Sequence, residues 1–271
     1  MANILNYMRI DKLPTIWCPG CGDGIVVGSF IRAVDALGYS KDEMVVITGI
    51  GCSARSNAIM DFNTFQTTHG RAVAFATGFK LVRPELKVAV ITGDGDGVGI
   101  GGNHMIHAAR RNIDLTVIMI NNNIYGMTGG QYSPLTPPGS RATTAPYGMV
   151  EYSFDACKLL IGAEASFVAR GTAYHVQQLD EVIKEALSHK GFSFVEVMTQ
   201  CPTGFGRRNK MGNPAEMMKW QRDHAVPVSA AAKLPPEKLK DKFVIGVLHK
   251  EEKPDFGEIY ARAVARAQEG A

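Results

Sequence analysis

Between Leu86 and Gln131 the chain reads LKVAVITGDGDGVGIGGNHMIHAARRNIDLTVIMINNNIYGMTGGQ, and few folds accommodate such a stretch. Val88 to Thr92 is a short apolar run, the pattern of a strand buried on both faces of a parallel sheet. A glycine-rich turn with two acids follows, Gly93-Asp94-Gly95-Asp96-Gly97. His104 to Arg111 then reads as a helix, and Leu115 to Ile120 as a second strand that runs into Asn121-Asn122-Asn123. Strand, acidic turn, helix and strand make a βαβ crossover with polar groups at the carboxyl ends of both strands. Open parallel sheets bind ligands at that edge.

Two ligand chemistries compete for the unit. Gly97-x-Gly99-x-x-Gly102 fits the GxGxxG pattern of a dinucleotide site, which alone is a weak signal. A nicotinamide site also calls for an acid at the end of the next strand to hold the ribose, and here that strand ends in three asparagines. The second chemistry is a magnesium diphosphate site. Asp94 would supply a carboxylate, Asn122 an amide oxygen and a nearby main-chain carbonyl a third ligand, with phosphate oxygens completing an octahedron. Adjacent strand ends lie about 5 Å apart, so both side chains can reach one ion. The GDG…NN arrangement resembles the thiamine diphosphate motif. A bare glycine turn would leave the gathering of acids and amides at both strand ends unexplained.

With 271 residues, 45% of them hydrophobic and 20% charged, the chain has the composition of an ordinary soluble protein with one large domain or two small ones. The 29 basic and 26 acidic residues leave a net charge of +3, too small to argue for nucleic acid. No run reaches the roughly 18 apolar residues of a membrane span. MANILNYMRIDKLPTIW lacks the long apolar core of a secretory leader, so the cytoplasm is the expected compartment. There, five cysteines point to metal ligands or reactive thiols rather than disulfides.

In chain order, Cys18-Pro19-Gly20-Cys21 forms a C-x-x-C ahead of a helix from Gly24 to Leu37. Such a pair is half a zinc site or a redox pair. The redox motif follows a strand, however, and little before Cys18 reads as one. Met44 to Ile50 is a buried strand that runs into Gly51-Cys52-Ser53-Ala54-Arg55, placing a third cysteine on the Asp94 edge. Thr67-Thr68-His69-Gly70-Arg71 precedes a small-residue helix, Ala72 to Leu81, and His69 at that junction can meet an anionic ligand or simply cap its own loop. For His104 and His107, packing or helix-surface roles fit better than metal binding. The proline- and threonine-rich Tyr132 to Gly148 is too long for a connector and is expected to be functional or to lie against a partner.

Further on, Phe154 to Leu160 and Val176 to His189 read as helices, and Ala165 to Ala169 and Phe192 to Met198 as strands. The last strand delivers Cys201, while Cys157 falls in a helical pattern as buried packing. There is no internal repeat. The chain is expected to divide into an α/β domain, 1–208, and a C-terminal extension, 209–271, packing on that domain or on a partner. Within the extension we expect a helix over Met211 to Arg222, a linker from Pro227 to Lys240, a strand or arm from Phe243 to Leu248 and a short helix from Phe256 to Gln268.

Cys18, Cys21, Cys52 and Cys201 thus all map to the sheet end where a diphosphate would sit. Four cysteines hold zinc or a [4Fe–4S] cluster, and spacing does not separate the two. The neighbouring cofactor bears on the choice. Thiamine diphosphate decarboxylates 2-oxoacids and leaves electron-rich adducts, from which a cluster can withdraw electrons but redox-inert zinc cannot.

At this point TIWCPGCGDGI, TGIGCSAR, TTHGRAVAFATG, GDGDGVGIGGNHMIHAARRN, NNNIYGMTGGQYSP and QCPTGFGRRN, in order from Trp17 to Asn209, closely resemble the β subunits of 2-oxoacid:ferredoxin oxidoreductases, the 2-oxoglutarate branch above all. Gly97-Val98 departs from the bulkier residues many relatives carry, a change in packing rather than ligation. The resemblance implies a parallel-sheet, diphosphate-module fold with a C-terminal arm. It implies a [4Fe–4S] cluster on Cys18, Cys21, Cys52 and Cys201, and Mg²⁺ on Asp94, Asn122 and the Ile124 carbonyl. Thiamine diphosphate would be held by Ile50, Gly51, Cys52, Ser53, His69, Gly95, Asp96, Gly126, Met127 and Thr128. His69 and Arg55 are the candidate catalytic residues, Arg55 for the substrate carboxylate; a solvated or structural Arg55 is the alternative.

The implied activity is CoA-dependent oxidative decarboxylation of a 2-oxoacid to acyl-CoA and CO₂, with ferredoxin as electron acceptor. An α subunit would supply the pyrimidine-activating glutamate and most of the coenzyme A site, and small ferredoxin-like subunits can accompany it. Pyruvate or branched-chain 2-oxoacids as substrates, and a non-redox decarboxylase subunit with structural zinc, are the alternatives. Metal analysis of anaerobically purified protein separates them: iron without zinc, with visible absorbance that bleaches on reduction, is the expected result, and stoichiometric zinc without iron is the opposite one.

Overall fold

A computed structural model describes residues 4–270, which omits the first three residues of the stretch read for a leader. Two 3-10 turns, Ile4–Tyr7 and Ile10–Lys12, lead to α1 (Asp23–Leu37) and β1 (Met44–Thr48). Next come α2 (Ser56–Ile59), β2 (Asn63–Gln66), α3 (Ala72–Val82), β3 (Lys87–Gly93), α4 (Gly102–Arg110) and β4 (Thr116–Asn121). The second half runs α5 (Ala156–Gly162), β5 (Phe167–Thr172), α6 (Val176–Ser188), β6 (Ser193–Met198) and α7 (Pro214–His224). It ends with β7 (Ala225–Pro227), α8 (Val228–Ala231), β8 (Phe243–Lys250) and α9 (Phe256–Glu269). The strands form one sheet in the order β2-β1-β3-β4-β6-β5-β8-β7, and among the named pairings only β5 with β8 is antiparallel.

The inner strands are apolar on both faces because both faces are covered. Register aligns Ile91, Ile118, Val195 and Ala169 in one row, and all four pack against α1 and α6 through Phe30, Val34, Leu179 and Ile183. One residue earlier, Val90, Val117, Phe194 and Val168 make the adjacent row and face α3, α4 and α5 through Ala76, Met105 and Leu160. A period of two thus sorts one sheet into two cores. The chain leaves β1 toward β2 but leaves β3 toward β4, so connections diverge between β1 and β3. That divergence opens a crevice at their carboxyl ends.

Several elements differ from expectation in informative ways. β2, Asn-Thr-Phe-Gln, is polar and mostly exposed at the sheet edge, so no hydrophobic period marked it. β1 stops at Thr48, two residues short of Ile50, because the chain turns there to line the crevice. The stretch 227–240 carries the end of β7, α8 and a 3-10 turn, Pro236–Leu239. β8 pairs with β5 and extends the main sheet. α9 buries no residue, and Ile259, Tyr260 and Val264 stand exposed on it. Among the described residues no helix is long and apolar enough to cross a membrane.

Ile118 lies at the centre of the sheet with no exposed surface. Ile118→Ala should lower unfolding stability by about 2–5 kcal/mol, by lost burial plus the cavity left behind. Urea denaturation measures this, and a loss below about 1 kcal/mol would show that the two cores are not packed as described.

Candidate active site

The crevice holds a cavity built from four segments. Ile50, Gly51, Cys52 and Ser53 follow β1; His69 precedes α3; Gly93 to Asp96 close β3; and Asn122 with Ile124 to Thr128 follow β4. Every residue of the expected thiamine diphosphate and Mg²⁺ sets lines it. Arg55 does not; it is exposed on the turn Ser53–Arg55.

Asp96 organises the cavity wall. Its buried carboxylate accepts hydrogen bonds from the Gly70 N–H at 2.7 Å, the Thr92 hydroxyl at 2.6 Å and the Ile50 N–H at 3.3 Å. It also meets His69 Nδ1 at 2.5 Å. One carboxylate therefore joins the ends of β1 and β3 to the loop before α3. The fit leaves no room at Gly49, where a Cβ would come within 1.9 Å of Asp96 Oδ2. With Nδ1 engaged, Nε2 is the His69 nitrogen left to meet a ligand. On the other wall the Tyr125 hydroxyl donates to the Gly95 carbonyl at 2.9 Å, and a Cβ at Gly95 would enter the Tyr125 ring.

Asp94, Asn122 and Ile124 are all buried on this cavity. Burial pushes the Asp94 carboxyl up to about 7, although the Ser133 hydroxyl donates to it at 2.5 Å and the Gly95 N–H also favours the ionised form. A divalent cation would restore the charge that burial disfavours. Asn122 Oδ1 accepts from the Ile124 N–H at 3.2 Å, which fixes the amide beside the Ile124 carbonyl. One hard carboxylate oxygen, one amide oxygen and one main-chain oxygen suit Mg²⁺.

The four cysteines converge next to this cavity. Cys52 lines it, and a Cβ placed on Gly126 would sit 3.3 Å from Cys201 Sγ and 3.9 Å from Cys52 Sγ. The C-x-x-C loop closes on itself through Cys21 N–H to the Cys18 carbonyl at 3.0 Å. It is strapped to the Cys201 segment by Gly22 N–H to the Gln200 carbonyl at 3.2 Å and by Gln200 Nε2 to the Gly20 carbonyl at 3.1 Å. Trp17 Nε1 donates to the Cys52 carbonyl at 2.8 Å, tying the third segment in.

Burial pushes the Cys52 thiol up to about 12 and raises Cys21 and Cys201 as well; Cys18 and Cys201 add to the rise at Cys52. These sulfurs therefore favour a ligand that brings positive charge. Four thiolates gathered in this way suit a metal centre, zinc or an iron–sulfur cluster. The Gly204 N–H, 3.3 Å from Cys201 Sγ, is the kind of donor that tunes one.

Some contributors carried no sequence signal. Asp23 is completely buried at the start of α1, and burial lifts its carboxyl to about 6 against the opposing effect of Cys21. Ser133 reaches Asp94 from the proline-rich segment, which is anchored by the Thr136 hydroxyl on the Asn123 carbonyl and by Thr143 N–H on the Gly130 carbonyl. His104 and His107 lie away from the site, paired with Arg71 and Arg110. Asp155, Cys157 and Glu196 bring three ligand-type atoms within 4.8 Å. Arg170 bonds both carboxylates at 2.7 Å, and Asn121 donates to Glu196 at 2.7 Å, so this is a charge-compensated core network.

A crevice at the divergence of a parallel sheet is where open α/β folds bind their ligands, and residues 44–197 match the family model "Thiamine pyrophosphate enzyme, C-terminal TPP binding domain". The chain is 50% identical over 258 residues to the 2-oxoglutarate synthase subunit KorB of Methanocaldococcus jannaschii, covering 95% of this chain and 96% of that one. It is 42% identical over 187 residues to the 2-oxoacid:ferredoxin oxidoreductase 2 subunit beta of Aeropyrum pernix, covering 69% of this chain and 60% of that one. A solved 2-oxoglutarate:ferredoxin oxidoreductase from Magnetococcus marinus, with 2-oxoglutarate, coenzyme A and succinyl-CoA bound, superimposes with a TM-score of 0.87. That likeness carries 35% identity and covers 98% of this chain and 90% of the other. The chain belongs to the β-subunit family of the 2-oxoacid:ferredoxin oxidoreductases.

Asp96→Asn would remove the charge that holds Ile50, His69 and Gly70 together while leaving the outline of the side chain. Thiamine diphosphate affinity should fall roughly 10–100-fold, the usual effect of losing an orienting partner, with circular dichroism unchanged. Unaltered affinity in a calorimetric titration of the assembled enzyme would remove Asp96 from this role.

Proposed function

We propose that this chain is the β subunit of a cytoplasmic, CoA-dependent 2-oxoacid:ferredoxin oxidoreductase that acts on 2-oxoglutarate. The observation that carries the proposal is the turn after β1: Ile50 to Ser53 line the cofactor cavity, and Cys52 in the same turn faces Gly126 together with Cys201. Cofactor pocket and sulfur set therefore share one loop. The curated relatives named for 2-oxoglutarate and the solved enzyme holding 2-oxoglutarate and coenzyme A support the substrate and the acyl acceptor.

Asp94, Asn122 and the Ile124 carbonyl would hold Mg²⁺ and, through it, the diphosphate. Gly95, the turn Gly126 to Thr128 and Ile50 to Ser53, which line the same cavity, would hold the rest of thiamine diphosphate. When bound, thiamine diphosphate would supply carbanion chemistry for the decarboxylation, and Cys18, Cys21, Cys52 and Cys201 would hold a [4Fe–4S] cluster that would supply one-electron chemistry. His69, oriented by Asp96, presents Nε2 to the bound ligand as a hydrogen-bonding or proton-holding group. Arg55 sits three residues beyond Cys52 and offers a guanidinium for the distal carboxylate of the substrate. Residues 209–271 form an extension on the 1–208 domain, supported by the pairing of β8 with β5.

The glutamate that activates the aminopyrimidine comes from an α subunit, together with most of the coenzyme A site. Accordingly, the purified chain alone should show no CoA-dependent 2-oxoacid oxidation, and robust turnover by it would refute the two-subunit site. In the assembled enzyme, Arg55→Ala should raise KM for 2-oxoglutarate about 10–100-fold, the worth of a charged hydrogen bond, and erode its preference over pyruvate. Unchanged KM and preference would assign Arg55 a structural role.

A further inference from the structure

Asp94 follows β3, Asn122 and Ile124 follow β4, and one short turn from a third segment holds both strand ends. Ser133-Pro134-Leu135-Thr136 closes as a β-turn through the Thr136 N–H on the Ser133 carbonyl at 3.0 Å, with proline where such turns favour it. Ser133 and Thr136 are completely buried. The Ser133 hydroxyl accepts the Leu135 N–H at 3.3 Å, which leaves its proton for Asp94 Oδ2, 2.5 Å away. The Thr136 hydroxyl accepts the Ser133 N–H at 2.8 Å and donates to the Asn123 carbonyl at 2.6 Å. Asn123 stands in left-handed backbone, φ 62°, and its N–H is held by the Asn121 amide oxygen at 3.1 Å. That kink sets how the Asn122 side chain and the Ile124 carbonyl stand to each other. The turn is itself tied down by the Phe154 N–H on the Pro134 carbonyl at 2.9 Å.

Resting on the Mg²⁺ assignment made above, we infer that the Ser133–Thr136 turn is a clamp that makes this site select Mg²⁺ over a larger divalent cation such as Ca²⁺. Mg²⁺ demands a near-ideal octahedron with bonds of about 2.0–2.1 Å, whereas Ca²⁺ takes about six to eight oxygens at about 2.3–2.6 Å and accepts a carboxylate through both of its oxygens. With Ser133 on Oδ2, Asp94 keeps only Oδ1 free of a side-chain partner, which suits one-oxygen coordination. With Thr136 on the Asn123 carbonyl, the opposite wall cannot retreat to admit a wider ion. Both are positioning residues. Ser133 acts through Asp94, and Thr136 acts through the backbone that joins the other two ligands.

The test uses the assembled enzyme, purified anaerobically, freed of divalent cations and supplied with thiamine diphosphate. Competition against Mn²⁺, read from the EPR signal of the free ion, gives the affinities for Mg²⁺ and Ca²⁺ without any turnover. Ser133→Ala should weaken Mg²⁺ binding about 10–100-fold, the usual effect of losing an orienting partner. It should also lower the ratio of Mg²⁺ to Ca²⁺ affinity at least about fivefold, because Ca²⁺ can then use both Asp94 oxygens. Thr136→Val should shift the ratio the same way, and Thr136→Ser, which keeps the hydroxyl, should restore it. Thr144→Ala, in the same segment with its hydroxyl on the Tyr132 N–H, should leave the ratio unchanged. An unchanged ratio in both Ser133→Ala and Thr136→Val overturns the clamp even if both affinities fall, and the two hydroxyls are then loop anchors. Should Ser133→Ala fail to assemble, the contrast between valine and serine at Thr136 decides. If Mg²⁺ does not displace Mn²⁺ from the unaltered enzyme, the metal assignment itself fails and the clamp falls with it.

Discussion

A single carboxylate decides the shape of the crevice. Asp96 stands at the exit of β3, where a buried negative charge is costly unless it is fully bonded. Here it is bonded to main-chain N–H groups from two other segments, to Thr92 and to His69. Charge-assisted bonds of this kind are stronger than neutral ones. They hold Ile50 and His69 at fixed positions across the point where the sheet diverges. The glycine at 49 is the steric counterpart of that charge, since any side chain there would occupy the carboxylate's place.

From the same edge, chain topology delivers the sulfurs. β1 exits into Cys52 and β6 exits toward Cys201, and the C-x-x-C loop is brought in by main-chain bonds rather than by a strand of its own. Three segments far apart in sequence therefore meet beside Gly126. No side chain at Gly126 separates the cysteine pair from the cofactor cavity. Electron transfer out of that cavity needs such proximity, and the fold provides it as a consequence of parallel strands ending on one rim.

Much of this geometry was legible in the sequence because it is written in strong local patterns. β3 and β4 are short apolar runs that no helix period explains, and polar groups stand at the carboxyl end of each. The cysteines were legible for the same reason: two of them follow apolar strands. What stayed hidden depends on tertiary contact alone. β2 is a polar edge strand whose partner is its only signal. Ser133 looks like any loop serine until the proline-rich segment folds across Asp94. Asp23 falls one residue before the helix expected from Gly24, and only packing shows it to be buried. The strand or arm expected at 243–248 had no partner written in its own sequence; β8 finds its stability by adding backbone hydrogen bonds and Val247 and Leu248 to an existing sheet.

The central claim is that one rim of the sheet holds both the cofactor cavity and an iron centre. Anomalous diffraction collected at the iron edge from crystals of the anaerobically purified two-subunit enzyme tests it most directly. The account predicts an iron peak enclosed by Cys18, Cys21, Cys52 and Cys201 and adjacent to Gly126. A signal at the zinc edge alone, or an iron peak away from those four sulfurs, would contradict it.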